Sequence, residues 1–386
     1  MFKMLYPRRV LSGPGCLSAL GRELRDRFAG VLVVAGSASL RRSGVLETIE
    51  TDLRSAGLHL RVFEGVESEP SVDTAASCTR VLSEFRDSLR APIGVLGIGG
   101  GSVLDVAKAA AGLVNEPSTV ADVFRGKPVS TKGVPFVAVP TTAGSGAEAT
   151  TNAVLTDTER GTKASIRSDS FLAELVILDP ELTRSAPPAV TAASGMDALT
   201  QAIEGYTSIH ANEFTRPLSK EAVRLIGQNL LRAYDDGGSL PARDAMLKAS
   251  FLGAVAFANC RLGAVHGIAH PVGVRYRASH GVVCAILLPY VMRFNMQDCV
   301  EDYARLAQDM GIAKKRTSAR AMAASLIGMI EELNNKVGIP LKLREIGLRH
   351  EDIGAIAEES LPSGSLAANR RKMTKEDIVA LLEANL

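Results

Sequence analysis

Tryptophan is absent from the 386 residues, and aromatic side chains of all kinds make up only 4%. That poverty excludes the stacking platforms on which single-stranded nucleic acids are held. Charge of one sign is lacking too. Forty-four basic residues face 42 acidic ones, for a net charge of +2, which leaves no field to recruit nucleic acid or a membrane surface. Cysteine is scarce. Cys16, Cys78, Cys260, Cys284 and Cys299 are scattered, odd in number and form no CxxC pair. Neither a disulfide framework nor a thiolate zinc site is expected, and a reduced, cytoplasmic compartment is. Long apolar runs are missing as well. The N-terminal MFKMLYPRRVLSGPG has no signal-length apolar core, and the most apolar stretch, Val282 to Met292, contains Pro289 and is far too short to span a bilayer.

What is present is an ordinary globular composition, 46% hydrophobic and 22% charged. The length suits two domains with a large core. In the first half, short apolar runs alternate with helix-like segments. Gly30–Gly36, Leu58–Glu64, Pro92–Ile98, Pro135–Val139 and Val176–Leu178 read as strands, most of them buried on both faces. This alternation predicts an α/β domain with a mostly parallel sheet over residues 1–182. From 183 to 386 no convincing strand is found. Met196–Tyr206, Leu218–Tyr234, Ala242–Cys260, Cys299–Met310, Ala319–Val337 and Lys375–Leu386 space their apolar residues as helices do. An all-helical second domain is therefore predicted.

Two polar loops follow predicted strands. Gly99-Gly100-Gly101-Ser102 leads into the helix-like VLDVAKAAAGLV. Its glycines let the backbone approach a pyrophosphate, and the free N–H groups of a helix start attract its charge. Ser102 and Asp105 have capping-box spacing. Pro140 to Gly146 (PTTAGSG) offers hydroxyls and amides for phosphate, ribose or a carboxamide, or is a polar turn with Ser145 as a cap. Ligands of open α/β sheets bind at such carboxyl ends.

The chain has six histidines, and His266, His270 and His280 fall within fifteen residues. Such clustering points to a metal or catalytic site. His266 and His270 are spaced to share one helical face before Pro271 ends or kinks the helix. His59, His210 and His350 are isolated and carry no assigned role. Asp197 is the carboxylate nearest in character to a metal ligand, and it reads equally as an N-cap or helix-dipole group.

Together GGGSVLDVAK (99–108), PTTAGSGAEAT (140–150), LDPELT (178–183), GMDALTQAIEGYTS (195–208) and LGAVHGIAHPVGVRYRASHG (262–281) resemble the iron-containing (group III) alcohol dehydrogenase family over essentially the whole chain. The resemblance implies a dinucleotide-binding α/β domain (1–182), an all-helical metal and substrate domain (183–386) with the active site in the cleft between them, and a homodimer or larger assembly. It implies reversible hydride transfer between NAD(P)(H) and a small alcohol or aldehyde. Asp197, His266 and His280 match three metal ligands. The family's remaining histidine corresponds to Gln201, a neutral and weaker donor that serves as a fourth ligand or positions a water. Fe(II) or Zn(II) is the expected ion. His270 matches a histidine just outside the ligand set and is expected to relay a proton.

For the cofactor, the resemblance places Gly100, Gly101 and Ser102 at the pyrophosphate, and Gly36 is counted among the cofactor-binding residues. Thr141, Thr142 and Ser145 fall on the diphosphate and nicotinamide side, Lys163 reaches a ribose hydroxyl, and Asn152 lies near the same cleft. After the first predicted strand the chain reads Gly36-Ser37-Ala38-Ser39-Leu40-Arg41-Arg42, without the acid that favours NAD. NADP(H) is therefore expected to be accepted and favoured. A metal-free reductase of the maleylacetate type, and more distantly a lyase like dehydroquinate synthase, are the alternative functions. Arg275 and Arg277 are open to two readings, contact with an anionic substrate tail or solvation.

Overall fold

The computed structural model describes residues 3–36, 39–312 and 317–386. The chain divides into two compact units. One comprises Phe2–Thr142 and Ala147–Thr183, the other Ala143–Gly146 and Arg184–Leu386.

The first unit holds eight strands among its described residues: β1 (Val10–Ser12), β2 (Gly30–Gly36), β3 (His59–Val66), β4 (Ile93–Gly99), β5 (Phe136–Pro140), β6 (Asn152–Asp157), β7 (Thr162–Arg167) and β8 (Leu175–Leu178). Six of them form a sheet in the order β1-β8-β5-β4-β2-β3, with every pairing parallel. The parallel α/β expectation is met. Its helices are α1 (Leu20–Arg25), α2 (Ser39–Arg42), α3 (Val45–Ser55), α4 (Val72–Leu89), α5 (Gly101–Leu113) and α6 (Val120–Phe124). Val31, Val33 and Ala35 face a core shared with Leu20 and Leu24 of α1 and Ile49 and Leu53 of α3. The alternate residues Leu32 and Val34 are equally buried, as period-two strands covered on both faces require. A second core joins α4, α5 and α6 to Ala153, Leu155 and Ile166.

Two elements escaped the sequence reading. β1 spans only three residues and pairs with the distant β8, so it has too few residues to show a period. β6 and β7 form a separate antiparallel hairpin in full register. Its alternation is masked by polar residues, because one face stays partly exposed.

In the second unit the described residues contain helices and no strand, as expected. These are α7 (Pro188–Thr207), α8 (Thr215–Asp235), α9 (Leu240–Cys260), α10 (Ala264–Tyr276), α11 (His280–Asp309), α12 (Ala319–Lys336), α13 (Ile353–Ser360) and α14 (Lys375–Glu383), with short 3-10 turns. They enclose one large apolar core. Ala143–Gly146 packs here: a Cβ on Gly144 would press on Ser194. Among the described residues no single helix is long and apolar enough to cross a membrane. Cys78, Cys260, Cys284 and Cys299 are buried thiols outside any disulfide.

Two prolines lie inside helices. Pro271 lies inside α10 and does not end it. Pro289 lies inside the 30-residue α11, so the expected Cys299–Met310 helix is only its last third. Proline at 289 removes the N–H that would reach the Ala285 carbonyl four residues back. Asn334 of α12 supplies a substitute: its Nδ2 donates to that carbonyl at 2.8 Å.

Candidate active site

The carboxyl ends of β2, β4 and β5 lie side by side in the sheet. The chain moves from β2 outward to β3 and then returns to β4 on the other side of β2, so a topological switch point falls between β2 and β4. Gly36 ends β2, and the glycine loop ends β4. Gly100 is the N-cap of α5, Gly101 its first residue and Ser102 its second. Ser102 therefore does not cap the helix. Asp105 forms no capping box either; it accepts a bond from the Val154 backbone N–H at 3.0 Å. The first N–H groups of α5 have no intrahelical acceptor by geometry. Thr141 N–H donates to the Gly99 carbonyl at 2.9 Å. A Cβ on Gly100 would lie 3.4 Å from Thr142 Oγ1. The structure thus brings Gly100 and Thr142 together.

Asn152 begins β6, and its carbonyl accepts from Lys108 Nζ at 2.9 Å. Lys108 is a residue the sequence reading missed. It is fully buried, and its ammonium also donates to Ala147 O and to Thr150 Oγ1, the latter at 2.9 Å. Burial lowers its pKa and raises that of Asp105 beside it, each group opposing the other's shift. Lys163 on β7 pairs with Glu69. Arg41 is committed to Glu64 in a bidentate pair at 2.8 and 2.9 Å and to Glu50 at 3.1 Å. The hydroxyl of Ser37 and the neighbouring Ala38 lie outside the described residues. Ser145 belongs to the segment that packs with the helical unit.

Within the helical unit, α7, α10 and α11 place the predicted ligands together. Asp197 lies in the middle of α7, buried, so it is neither an N-cap nor a helix-start group. His266 and His270 project from α10, and His280 opens α11. His266 Nε2 stands 3.3 Å from Asp197 Oδ1, and His280 Nε2 3.9 Å from the same oxygen. The His270 and His280 rings have centroids 5.3 Å apart. Gly281 permits this arrangement: a Cβ there would sit 2.1 Å from the Ala193 carbonyl of α7, so a larger residue would drive α11 away from Asp197.

Two further residues complete the cluster. Glu204 accepts from His266 Nδ1 at 2.6 Å and from Val265 N–H at 2.6 Å. This fixes the ring so that Nε2 faces Asp197, the arrangement of a carboxylate–histidine metal ligand. Cys284 Sγ lies 3.6 Å from His280 Nε2. One ligand atom each from Asp197, His266, His280 and Cys284 all fall within 4.8 Å of one another. Helical spacing could have revealed both: Asp197, Gln201 and Glu204 follow i, i+4, i+7, and His280 and Cys284 follow i, i+4.

The site's electrostatics favour a cation. Burial disfavours the His266 imidazolium, yet Cys284, Asp197 and Glu204 outweigh it and hold the pKa well above the usual imidazole value. Burial pushes the Cys284 thiol up to about 11, with His266 pulling the other way. Asp197 Oδ1, His266 Nε2 and Gln201 Oε1 are buried without a hydrogen-bond partner. Such atoms cost stability unless something occupies them. Gln201 Nε2 donates to Asp197 Oδ2 at 3.0 Å, so its amide secures the carboxylate. Carboxylate and imidazole donors suit Fe(II) or Zn(II), and Asp197 Oδ1 and His266 Nε2 are atoms such an ion would engage. Arg275, by contrast, pairs with Asp352 at 3.2 Å and Glu359 at 2.6 Å.

A doubly wound sheet with a glycine loop at its switch point and a buried carboxylate–histidine cluster on helices define a nucleotide-dependent metalloenzyme class. Comparison with known proteins narrows it. Residues 7–180 match the family model for iron-containing alcohol dehydrogenase, and 191–386 match the C-terminal model of the Fe-containing alcohol dehydrogenase family. The 1,3-propanediol dehydrogenase of Klebsiella pneumoniae is 35% identical over 99% of this chain and 98% of its own. The NADPH-dependent butanol dehydrogenase of Clostridium saccharobutylicum is 31% identical over 99% and 97%. A crystal structure of a 1,3-propanediol oxidoreductase superposes with a TM-score of 0.94, at 34% identity and full coverage of both chains. The chain belongs to the iron-containing alcohol dehydrogenase family, and it is an NAD(P)-dependent alcohol dehydrogenase or aldehyde reductase.

Proposed function

We propose that this protein interconverts a small alcohol and its aldehyde at a divalent cation held by Asp197, His266 and His280, with NADPH as the favoured reductant. The observation that carries the reading is the buried pair Asp197 Oδ1 and His266 Nε2, 3.3 Å apart and each without a hydrogen-bond partner. Relatives acting as butanol and propanediol dehydrogenases support a small substrate.

When bound, the cation supplies a Lewis acid for the reacting C–O oxygen and the nicotinamide carries the hydride. Asp197 and the two imidazoles hold the ion. Glu204 fixes the His266 tautomer, and Gln201 fixes Asp197 while offering its amide oxygen as a weak neutral donor. His270 takes the hydroxyl proton during oxidation and returns it during reduction. In this reading 1–182 serves as the dinucleotide unit and 183–386 as the metal and substrate unit, in a homodimer or larger assembly. The N–H groups of Gly100, Gly101 and Ser102 receive the pyrophosphate, with Gly36 leaving room beside it. The hydroxyls of Thr141, Thr142 and Ser145 serve the diphosphate and nicotinamide side, and Asn152 and Lys163 the ribose side. Because Arg41 is held by Glu50 and Glu64, recognition of a 2′-phosphate falls to the exposed Arg42.

Aldehyde reduction assayed after chelation, and again after adding Fe(II) or Zn(II), tests the metal reading. Activity is expected to vanish and return; full activity in rigorously metal-free protein overturns it. The ratio of kcat/KM for NADPH to NADH is expected to exceed one and to fall about tenfold in Arg42→Ala, the loss of one ionic contact worth about 1.4 kcal/mol. A strong NADH preference overturns the cofactor assignment.

A further inference from the structure

We propose that Cys284 is a metal ligand of this protein, so that the cation is held by an Asp–His–His–Cys set in which thiolate supplies the second anionic donor. The inference rests on the divalent-cation reading above and names a ligand beyond it.

Three observations lead to it. The first is placement. Cys284 lies one turn after His280 on α11, fully buried, so both side chains leave the same face of the helix. The second is distance. A tetrahedral ion with bonds of about 2.0–2.3 Å has ligand–ligand edges of about 3.3–3.8 Å. Three of the six edges here are 3.3 Å from His266 to Asp197, 3.9 Å from His280 to Asp197 and 3.6 Å from Cys284 to His280, and all six lie within 4.8 Å. The third is the unmet need. A thiol hydrogen-bonded to His280 leaves Asp197 Oδ1 and His266 Nε2 without hydrogen-bond partners, although their residues are only 6% and 3% exposed. One ion amid the four donors satisfies all of them.

Gln201 does not fill this place as well. Its amide nitrogen is spent on Asp197 Oδ2, and its carbonyl oxygen is a neutral, weak donor. Ligation by Cys284 forms a metal–sulfur bond and releases the thiol proton to solvent, with no change in oxidation state. The only sequence sign of this is the i, i+4 spacing of His280 and Cys284, because the site draws a single thiol from α11 and two further donors from α7 and α10. A thiolate also softens the set, which favours Zn(II) or Co(II) over Fe(II).

The test uses the whole protein, stripped by chelation and titrated anaerobically with Co(II), read by absorption spectroscopy and by metal analysis. Wild type is expected to bind one equivalent and to develop a thiolate-to-cobalt charge-transfer band in the near ultraviolet. Cys284→Ser is expected to lose that band while keeping the visible ligand-field bands, and its affinity for Zn(II) is expected to drop at least tenfold. Gln201→Ala is expected to retain the charge-transfer band. One bound Co(II) without the band in wild type overturns the assignment to Cys284 and leaves the cation reading standing; that result needs no variant to fold. A band that persists in folded Cys284→Ser also overturns it, since another thiol would be responsible. Failure of wild type to bind any Co(II) overturns the cation reading as well.

Discussion

Single residues decide the chemistry here through what surrounds them. Gln201 and Glu204 bond Asp197 Oδ2 and His266 Nδ1, which leaves Asp197 Oδ1 and His266 Nε2 facing each other. The same logic governs Glu148 in the α/β unit. It is buried, with Oε1 unpartnered. Burial raises its pKa to about 7 against an ordinary 4.5, while Lys108 pulls it down. Between those two pH values the folded protein keeps a proton that the unfolded chain has released. Stability therefore falls as pH rises from about 4.5 to about 7. Glu148→Gln lacks this group, so its stability relative to wild type should grow across that window by on the order of 1–3 kcal/mol. Urea unfolding at pH 5 and pH 7 measures it; parallel changes in the two proteins would show that Glu148 is ionised throughout.

At the scale of elements, α11 shows how a local rule yields to packing. Pro289 should break a helix, and α11 nevertheless runs from His280 to Asp309. The cost is confined to one carbonyl, which Asn334 satisfies. Asn334→Leu should therefore cost about 1–3 kcal/mol, the penalty for an unmet buried acceptor. Pro289→Ala restores an N–H to Ala285, so in that background Asn334→Leu should cost clearly less. A double-mutant cycle by chemical denaturation reads the coupling. Additive losses would mean that the Asn334 bond does not compensate the proline. These expectations also mark what was legible. The buried strands and the His266–His270 spacing follow from period alone. The α11 helix did not, because proline and an apolar run speak against it locally and a partner 49 residues away overrides them.

Three helices of the helical unit meet at the candidate site. Donors from α7, α10 and α11 converge there, and a ligand that binds only the folded form stabilises it by mass action. Calorimetry of metal-stripped protein should show the melting temperature rising on addition of Zn(II), with about 2.7 kcal/mol gained at a hundredfold excess over Kd. Asp197→Asn should lose most of that rise. An equal rise in the variant would place the ion elsewhere.

The sequence alone determined the alternation of buried strands and helices, the glycine loop at a strand end, and the histidine-rich segment, since each is written in spacing along a few tens of residues. Tertiary structure decided the rest. Lys108 and Asn334 act on partners that no local pattern names, and helical spacing puts Glu204 and Cys284 on the right faces without naming what they meet, because burial and hydrogen-bond satisfaction are properties of neighbours in space. Arg41, basic and well placed along the chain, is claimed by two glutamates that only the folded chain brings to it.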